Sequence, residues 1–222
     1  MLATLMIPIT VMRAKVFTAT RRPLIDFKIL RNLPYDLFSM ASFFGMMGMY
    51  IPFYYVSTFC IQKGFVDEDV GFYLLPIINA ASIFGRILPN FFADIIGPLN
   101  ISVPFCLFCG VVAFCWTSLS SIGQCIVFSI FYGFFSGTFV SIMGPAIASL
   151  CVDLSLVGTH MGMSLAFAAL GLLIGNPIAG VLLDKYGWIG PAMFCGASNV
   201  LAACLVVVAR LAKTGRALRV RA

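Results

Sequence analysis

The sequence predicts an all-α membrane protein, a bundle of six transmembrane helices. Three observations carry that reading: an apolar composition, six separate runs long enough to cross a bilayer, and basic residues gathered near the two ends. Hydrophobic residues make up 61% of the 222-residue chain and charged residues 10%, against about 25% charged in soluble domains. With a mean hydropathy of +1.05, a water-soluble domain of this size could not cover its own apolar surface. The solvent for most of this chain is lipid.

A helical span needs about 20 predominantly apolar residues. Six runs qualify, at about 36–60, 70–93, 99–119, 122–151, 161–183 and 188–210. The first ends at "QKGFVDEDVG", where a glycine and three acidic residues interrupt the apolar run, and the second at "ADIIGPLN". The third stops at "SLSSIG", the fourth at "VDLSLVGTH", the fifth at "DKYGW", and the sixth runs into basic residues. Turn-forming residues mark each break. Links this short join antiparallel neighbours.

Charge sets the orientation. The net charge is +6, and eleven of the 14 basic residues fall in two blocks. Arg13, Lys15, Arg21, Arg22, Lys28 and Arg31 precede the first span; Arg210, Lys213, Arg216, Arg219 and Arg221 close the last. Such clusters beside apolar spans are cytoplasmic anchors by the positive-inside rule, and they form no folded basic face for nucleic acid. An even number of spans puts both blocks on one side, so both termini are expected in the cytoplasm and Asp67, Glu68 and Asp69 outside. The organisation expected is residues 1–12 as the end of a preceding transmembrane helix, 13–34 as a basic cytoplasmic linker, 35–211 as the six-helix bundle and 212–222 as a basic cytoplasmic tail. An interfacial segment is the alternative for the first twelve residues.

The eight cysteines all lie in or beside apolar runs, where cysteine packs as a small hydrophobe. Cys106 and Cys109 form a CxxC that reads as helix core, because no second pair or histidine accompanies it. No metal or other cofactor is expected. His160, the lone histidine, falls at a loop boundary and reads as a solvated residue at a helix start.

The chain repeats itself weakly. Gly85, Asp94 and Gly97 recur 90 residues later as Gly175, Asp184 and Gly187, closing the second and fifth spans. Three spans per copy forces the copies to enter the membrane from opposite sides, a 3+3 inverted repeat of the kind that places transporter substrate sites at its interface. Because glycine and aspartate both favour turns, a chance match is the competing explanation.

The second span carries a polar stripe. Asn79, Ser82, Arg86 and Asn90 are spaced by three, four and four, which puts them on one helical face. An arginine at the centre of a spanning helix costs about 2.5–3.5 kcal/mol on insertion scales, so it belongs in an interior or wet position. A guanidinium in a wet cavity binds a carboxylate through two hydrogen bonds; pairing with another helix is the alternative. Tyr50 and Tyr54 on the first span either shape the same pocket or mark a membrane interface. Asn176-Pro177 marks a candidate break in the fifth span, and Gly133 and Gly137 are expected to allow close helix packing.

"GRILPNFFADIIGPLN", with "PFYYV" before it and "GTHMGMSLAFAALGLLIGNPIAGVLLDKYGW" after it, resembles the C-terminal half of a fungal monocarboxylate-transporter-like member of the major facilitator superfamily. The resemblance covers about Arg21 to Ala212. It implies half of that superfamily's fold, namely the seventh to twelfth helices of a twelve-helix transporter. Gly85, Asp94 and Gly97 match the superfamily's conserved-loop motif, although Ile95 and Ile96 replace its usual basic residues. Animal members carry an aspartate four residues before the arginine; here that position holds Ser82, so the proton-binding half of the pair is missing.

The function implied is secondary transport of small organic solutes by alternating access, monocarboxylates among the candidates, at the plasma or vacuolar membrane. Arg86 would be the anion contact, and Asn79, Ser82 and Asn90 the hydrogen-bonding wall. The expected partners are a small, anionic organic solute, the lipid bilayer, and either an N-terminal six-helix half or a second copy. A non-transporting membrane protein or channel subunit is the competing class. An intramembrane protease is remote, because Phe134 occupies the glycine position that a GxSG nucleophile motif ending at Ser136-Gly137 requires.

Overall fold

A computed structural model describes residues 29–151 and 153–215. The expected helix end at 1–12, most of the 13–34 linker and the end of the tail, 216–222, lie outside the described residues. Among the described residues every long element is helical, and six spans are long and apolar enough to cross a membrane. Each expected run lies within or overlaps one of them.

The first span is two helices, α1 (Leu33–Met49) and α2 (Ile51–Gln62), meeting at Tyr50. Pro52 explains the joint. It has no N–H to give the carbonyl four residues back, at Gly48, and the Tyr50 N–H turns onto that oxygen instead. The neighbouring Met49 carbonyl is taken by the Tyr132 hydroxyl at 2.7 Å. The single helix expected over 36–60 is therefore corrected to a broken one. The break expected at Asn176-Pro177 is also corrected, since the fifth span continues unbroken through Pro177.

The remaining spans are α3 (Glu68–Ile96), α4 (Pro98–Phe114), α5 (Ile122–Leu150), α6 (Val157–Tyr186) and α7 (Ile189–Thr214). Glycines in conformations closed to other residues end three of them, with Gly215 (φ 62°, ψ −142°) closing α7. Gly97 (φ 99°, ψ 139°) and Gly187 (φ 64°, ψ −159°) each donate to a carbonyl four residues back, Ala93 and Leu183. These are the glycines of the 90-residue repeat.

The packing shows the same exchange. The second span packs on the fourth and the first on the fifth; the first and the third pack on the sixth, and the third also on the fourth. That pattern is unchanged when the first three spans are swapped with the last three, as a 3+3 inverted repeat requires. Both α3–α5 and α1–α6 are backbone-to-backbone contacts. A Cβ on Gly85 would stand 2.0 Å from the Phe134 carbonyl oxygen, and one on Gly175 would stand 1.9 Å from that of Met47. Gly133 and Gly137 bring α5 equally close to Ile78 and Ser82, as expected for small residues at membrane helix contacts.

The core has two layers along the bundle. One gathers Phe38, Met49, Cys106, Phe139, Met143, Ala202 and their neighbours; the other gathers Phe59, Cys109, Trp116, Phe128, Tyr132 and Cys195. Cys106 and Cys109 are buried, one in each layer, so the CxxC is helix core. His160 corrects its expectation: it is 3% exposed in the first turn of α6, with its ring nitrogen Nδ1 3.0 Å from the Cys151 sulfur and its carbonyl accepting from the Tyr35 hydroxyl at 2.8 Å. Two spans stand at the margin. α3 and α6 bury 28% and 22% of their most apolar stretches, against at least 44% for the others.

Candidate functional site

The polar stripe lies along the seam between α3 and α5. Asn79 is exposed and turns its amide onto the Leu75 carbonyl at 3.0 Å. Ser82 is buried, its hydroxyl donating to the Asn79 carbonyl at 2.7 Å, and its backbone lies directly against Gly137. Asn90 is half-buried and reaches across the seam, donating to the Ser141 hydroxyl and to the Arg86 carbonyl, each at 2.5 Å. Its Oδ1 is buried without a partner.

Pro89 helps to explain how the seam closes. Lacking an N–H, it leaves the Gly85 carbonyl unpaired within α3. Thr138 of α5 donates to that oxygen at 2.8 Å. The glycine that permits the close approach thus also presents the carbonyl that fixes it.

Arg86 is exposed and forms a wall of two cavities. The larger is a groove of about 590 Å³, bordered by Arg86, Asn90, Asp94, Gly97, Pro145 and Ser149. The smaller, about 70 Å³, is bordered by Tyr50, Phe53, Asn79, Ser82, Arg86 and Ser136, among others. The groove is large enough for a small organic ligand; the smaller space suits a few waters. No hydrogen bond or ion pair takes the Arg86 guanidinium among the described residues. Asp94 borders the same groove without pairing with it.

The structure therefore gathers Asn79, Ser82, Arg86, Asn90 and Tyr50 around two cavities that share Arg86 as a wall. Tyr54 is left out: it is 63% exposed and lines neither cavity. Phe53 is on the cavity wall instead, its ring 5.3 Å from that of Tyr50. Gly85 serves the seam, and Gly97 closes α3 at the groove. Ile95 and Ile96, where a basic pair was expected by resemblance, are exposed at the end of that helix.

Sequence reasoning missed the α5 side of the site, Ser136, Ser141, Pro145 and Ser149. A signal was present. Gly133, Ser136, Gly137, Ser141 and Ala148 place small residues along one side of α5 at near-helical spacing, the pattern of a helix that lets its neighbour approach. Among the described residues, no group of three or more His, Cys, Asp or Glu side chains is placed to hold a metal.

Comparison with known proteins gives this geometry a family. The Major Facilitator Superfamily profile matches residues 90–221, more than half of the chain. The chain belongs to the major facilitator superfamily. It is an integral, multi-pass membrane protein of that superfamily, and its fungal relatives extend the match further. MFS-type transporter dbaD of Emericella nidulans is 35% identical over 211 residues, which cover 94% of this chain and 48% of the relative. Agnestins efflux protein AgnL12 of Paecilomyces divaricatus is 35% identical over 208 residues, 93% of this chain and 48% of that protein. Aspyridones efflux protein apdF of Emericella nidulans reaches 39% over 147 residues, 66% of this chain and 30% of its own length. The chain thus spans about half the length of the curated relatives it matches.

Proposed function

We propose that this superfamily chain is the C-terminal six-helix half of a secondary transporter that moves small organic anions, monocarboxylates among them, by alternating access. The observation that carries the reading is Arg86, a cation without a partner among the described residues, on the wall of a groove of about 590 Å³ within an apolar span. Leaving a guanidinium unpaired in a membrane-spanning segment is costly, and its planar fork matches a carboxylate. The efflux proteins for agnestins and aspyridones among its relatives support an organic solute moved outward.

The two least buried spans, α3 and α6, are the faces that a second six-helix unit would cover. An N-terminal half is the partner proposed; a second copy is the alternative, distinguished by mass in detergent. The two basic blocks support cytoplasmic termini, and a tag at either end tests this by its accessibility in intact cells. The membrane proposed is the plasma or vacuolar membrane.

The deciding experiment reconstitutes the chain with an N-terminal half and follows vesicle flux of monocarboxylates graded from acetate to benzoate. Arg86→Ala should lower saturable flux by about 10- to 100-fold while membrane insertion and mass stay unchanged. Arg86→Lys should restore little, because an ammonium lacks the bidentate fork. Flux unaffected by either change would remove Arg86 from the substrate path; loss of insertion in both would make it a structural residue.

A further inference from the structure

Cys60 and Cys125 lie away from the cleft, at the opposite end of the bundle. Cys60 is two residues before the end of α2 and Cys125 is in the first turn of α5. Both are fully buried, and their sulfurs are 2.7 Å apart. They face each other across the contact between the first and fourth spans, the two equivalent spans of the inverted repeat. We infer that Cys60 and Cys125 form a disulfide cross-link between the two repeats at the non-cytoplasmic end of the bundle.

Geometry and surroundings both support this. A contraction of about 0.7 Å brings the sulfurs to the ~2.05 Å of a disulfide. The other buried or half-buried thiols with a polar contact face different groups: Cys106 donates to the Asn199 carbonyl at 3.2 Å, Cys195 is 3.5 Å from the Tyr132 hydroxyl, and Cys151 meets His160. Cys60 and Cys125 meet only each other among the described residues. Aromatic rings pack beside them, Phe59 lying 5.9 Å from Trp116 and 5.2 Å from Trp188, with Trp116 stacked at 6.2 Å on Phe128. A bond formed there is shielded from reductants. Two sulfurs alone make a poor metal site, and among the described residues no third ligand joins them.

The inference rests on the proposed topology, which puts this end in an oxidising compartment where disulfides persist. The oxidant is a disulfide of that compartment's thiol-exchange machinery. The Cys60 thiol loses its proton and attacks one oxidant sulfur, forming a mixed disulfide and releasing one thiol. The Cys125 thiolate then attacks the Cys60 sulfur and releases the second. Two protein thiols are oxidised to one disulfide, and the oxidant's disulfide is reduced to two thiols. Since both cysteines are fully buried in the folded bundle, the bond forms as the fourth span docks on the first during insertion.

Thiol counting tests it. The full chain is expressed with its partner half in secretory-pathway membranes, quenched and denatured in N-ethylmaleimide, and weighed with and without prior reduction. Of the eight cysteines, six should be alkylated without reduction and eight after it; Cys60→Ser should give seven in both cases. A protease site inserted between Leu119 and Ser120 supplies an independent readout. The two pieces should run together without reductant and separate with it. Eight free thiols in the unreduced protein, pieces that part without reductant, or a Cys60→Ser chain still missing two thiols would each overturn the cross-link. A C-terminal tag read in parallel separates the causes. Free thiols with a cytoplasmic tag defeat the cross-link alone; free thiols with an external tag defeat the topology beneath it as well.

Discussion

The second and fifth spans are equivalent in the repeat and differ in chemistry. Each is a marginal helix, each buries a glycine against the backbone of its neighbour, and each ends in an Asp-x-x-Gly closed by a positive-φ glycine. The polar stripe belongs to one of them. Ninety residues on from Asn79, Ser82, Arg86 and Asn90 stand Ala169, Leu172, Asn176 and Gly180. The repeat reproduces what holds the helices together, and the departure from it supplies a charge. Symmetry here is a property of packing, and the candidate site is where symmetry fails.

The largest test of that comparison is steric. Gly85→Leu should cost about 3 kcal/mol or more, because the side chain meets the Phe134 carbonyl where two backbones touch. Gly85→Ala and Gly175→Ala should each cost about 1–3 kcal/mol and should match one another, since their new Cβ atoms meet carbonyl oxygens at 2.0 and 1.9 Å. Gly162→Ala, with nothing within 4 Å of its Cβ, should be neutral. Denaturant titration in detergent measures all four. Unequal costs at Gly85 and Gly175 would break the equivalence of the two seams.

Next comes the charge. Arg86→Ala should lower flux through the assembled transporter by about 10- to 100-fold, the worth of a hydrogen-bonded charge contact. Asn176→Ala, at the equivalent place on α6, should change it by about twofold or less, because the half-buried Asn176 lines neither cavity. Equal losses would show that both spans carry substrate contacts.

The capping glycines should follow. Gly97→Ala and Gly187→Ala each force a side chain into backbone space that glycine alone occupies freely, at about 1–3 kcal/mol, and thermal unfolding should register similar losses. The smallest effect is expected across the seam. A double-mutant cycle on Asn90→Ala and Ser141→Ala should return a coupling of about 0.6 kcal/mol, the average for hydrogen bonds between membrane helices. A coupling near zero would mean that the 2.5 Å contact contributes nothing.

The spans were readable because lipid demands long apolar runs, and turns with charged or small residues separate them. Prolines were not readable in the same way. Pro52 interrupts its span and Pro177 does not, yet both stand in apolar sequence. The outcome depends on partners distant in the chain, such as Tyr132 taking the Met49 carbonyl from 83 residues away. His160 misled for a related reason: its burial comes from Tyr35, 125 residues earlier, packing onto its helix. For the site, period 3.6 correctly put Arg86 beside Asn90 and Ser82. Which neighbouring helix would complete the groove was not encoded in α3 itself; the small-residue side of α5 was visible in the sequence, but its pairing with α3 emerged only from the fold.

The two-layered core makes the bundle uneven in stiffness. At the end holding Cys60, broad rings interlock around Trp116, and such close-packed aromatics yield little to small displacements. The other layer also holds aromatics, Tyr35, Phe38 and Phe139, but they are interleaved with alanines and with Met49 and Met143, whose flexible thioethers rearrange at low cost. Ala93 belongs to that softer layer and also lines the Arg86 groove. In the proposed alternating access, a tilt that pivots on the aromatic end would carry the groove end through the longer arc and widen the space around Arg86 most.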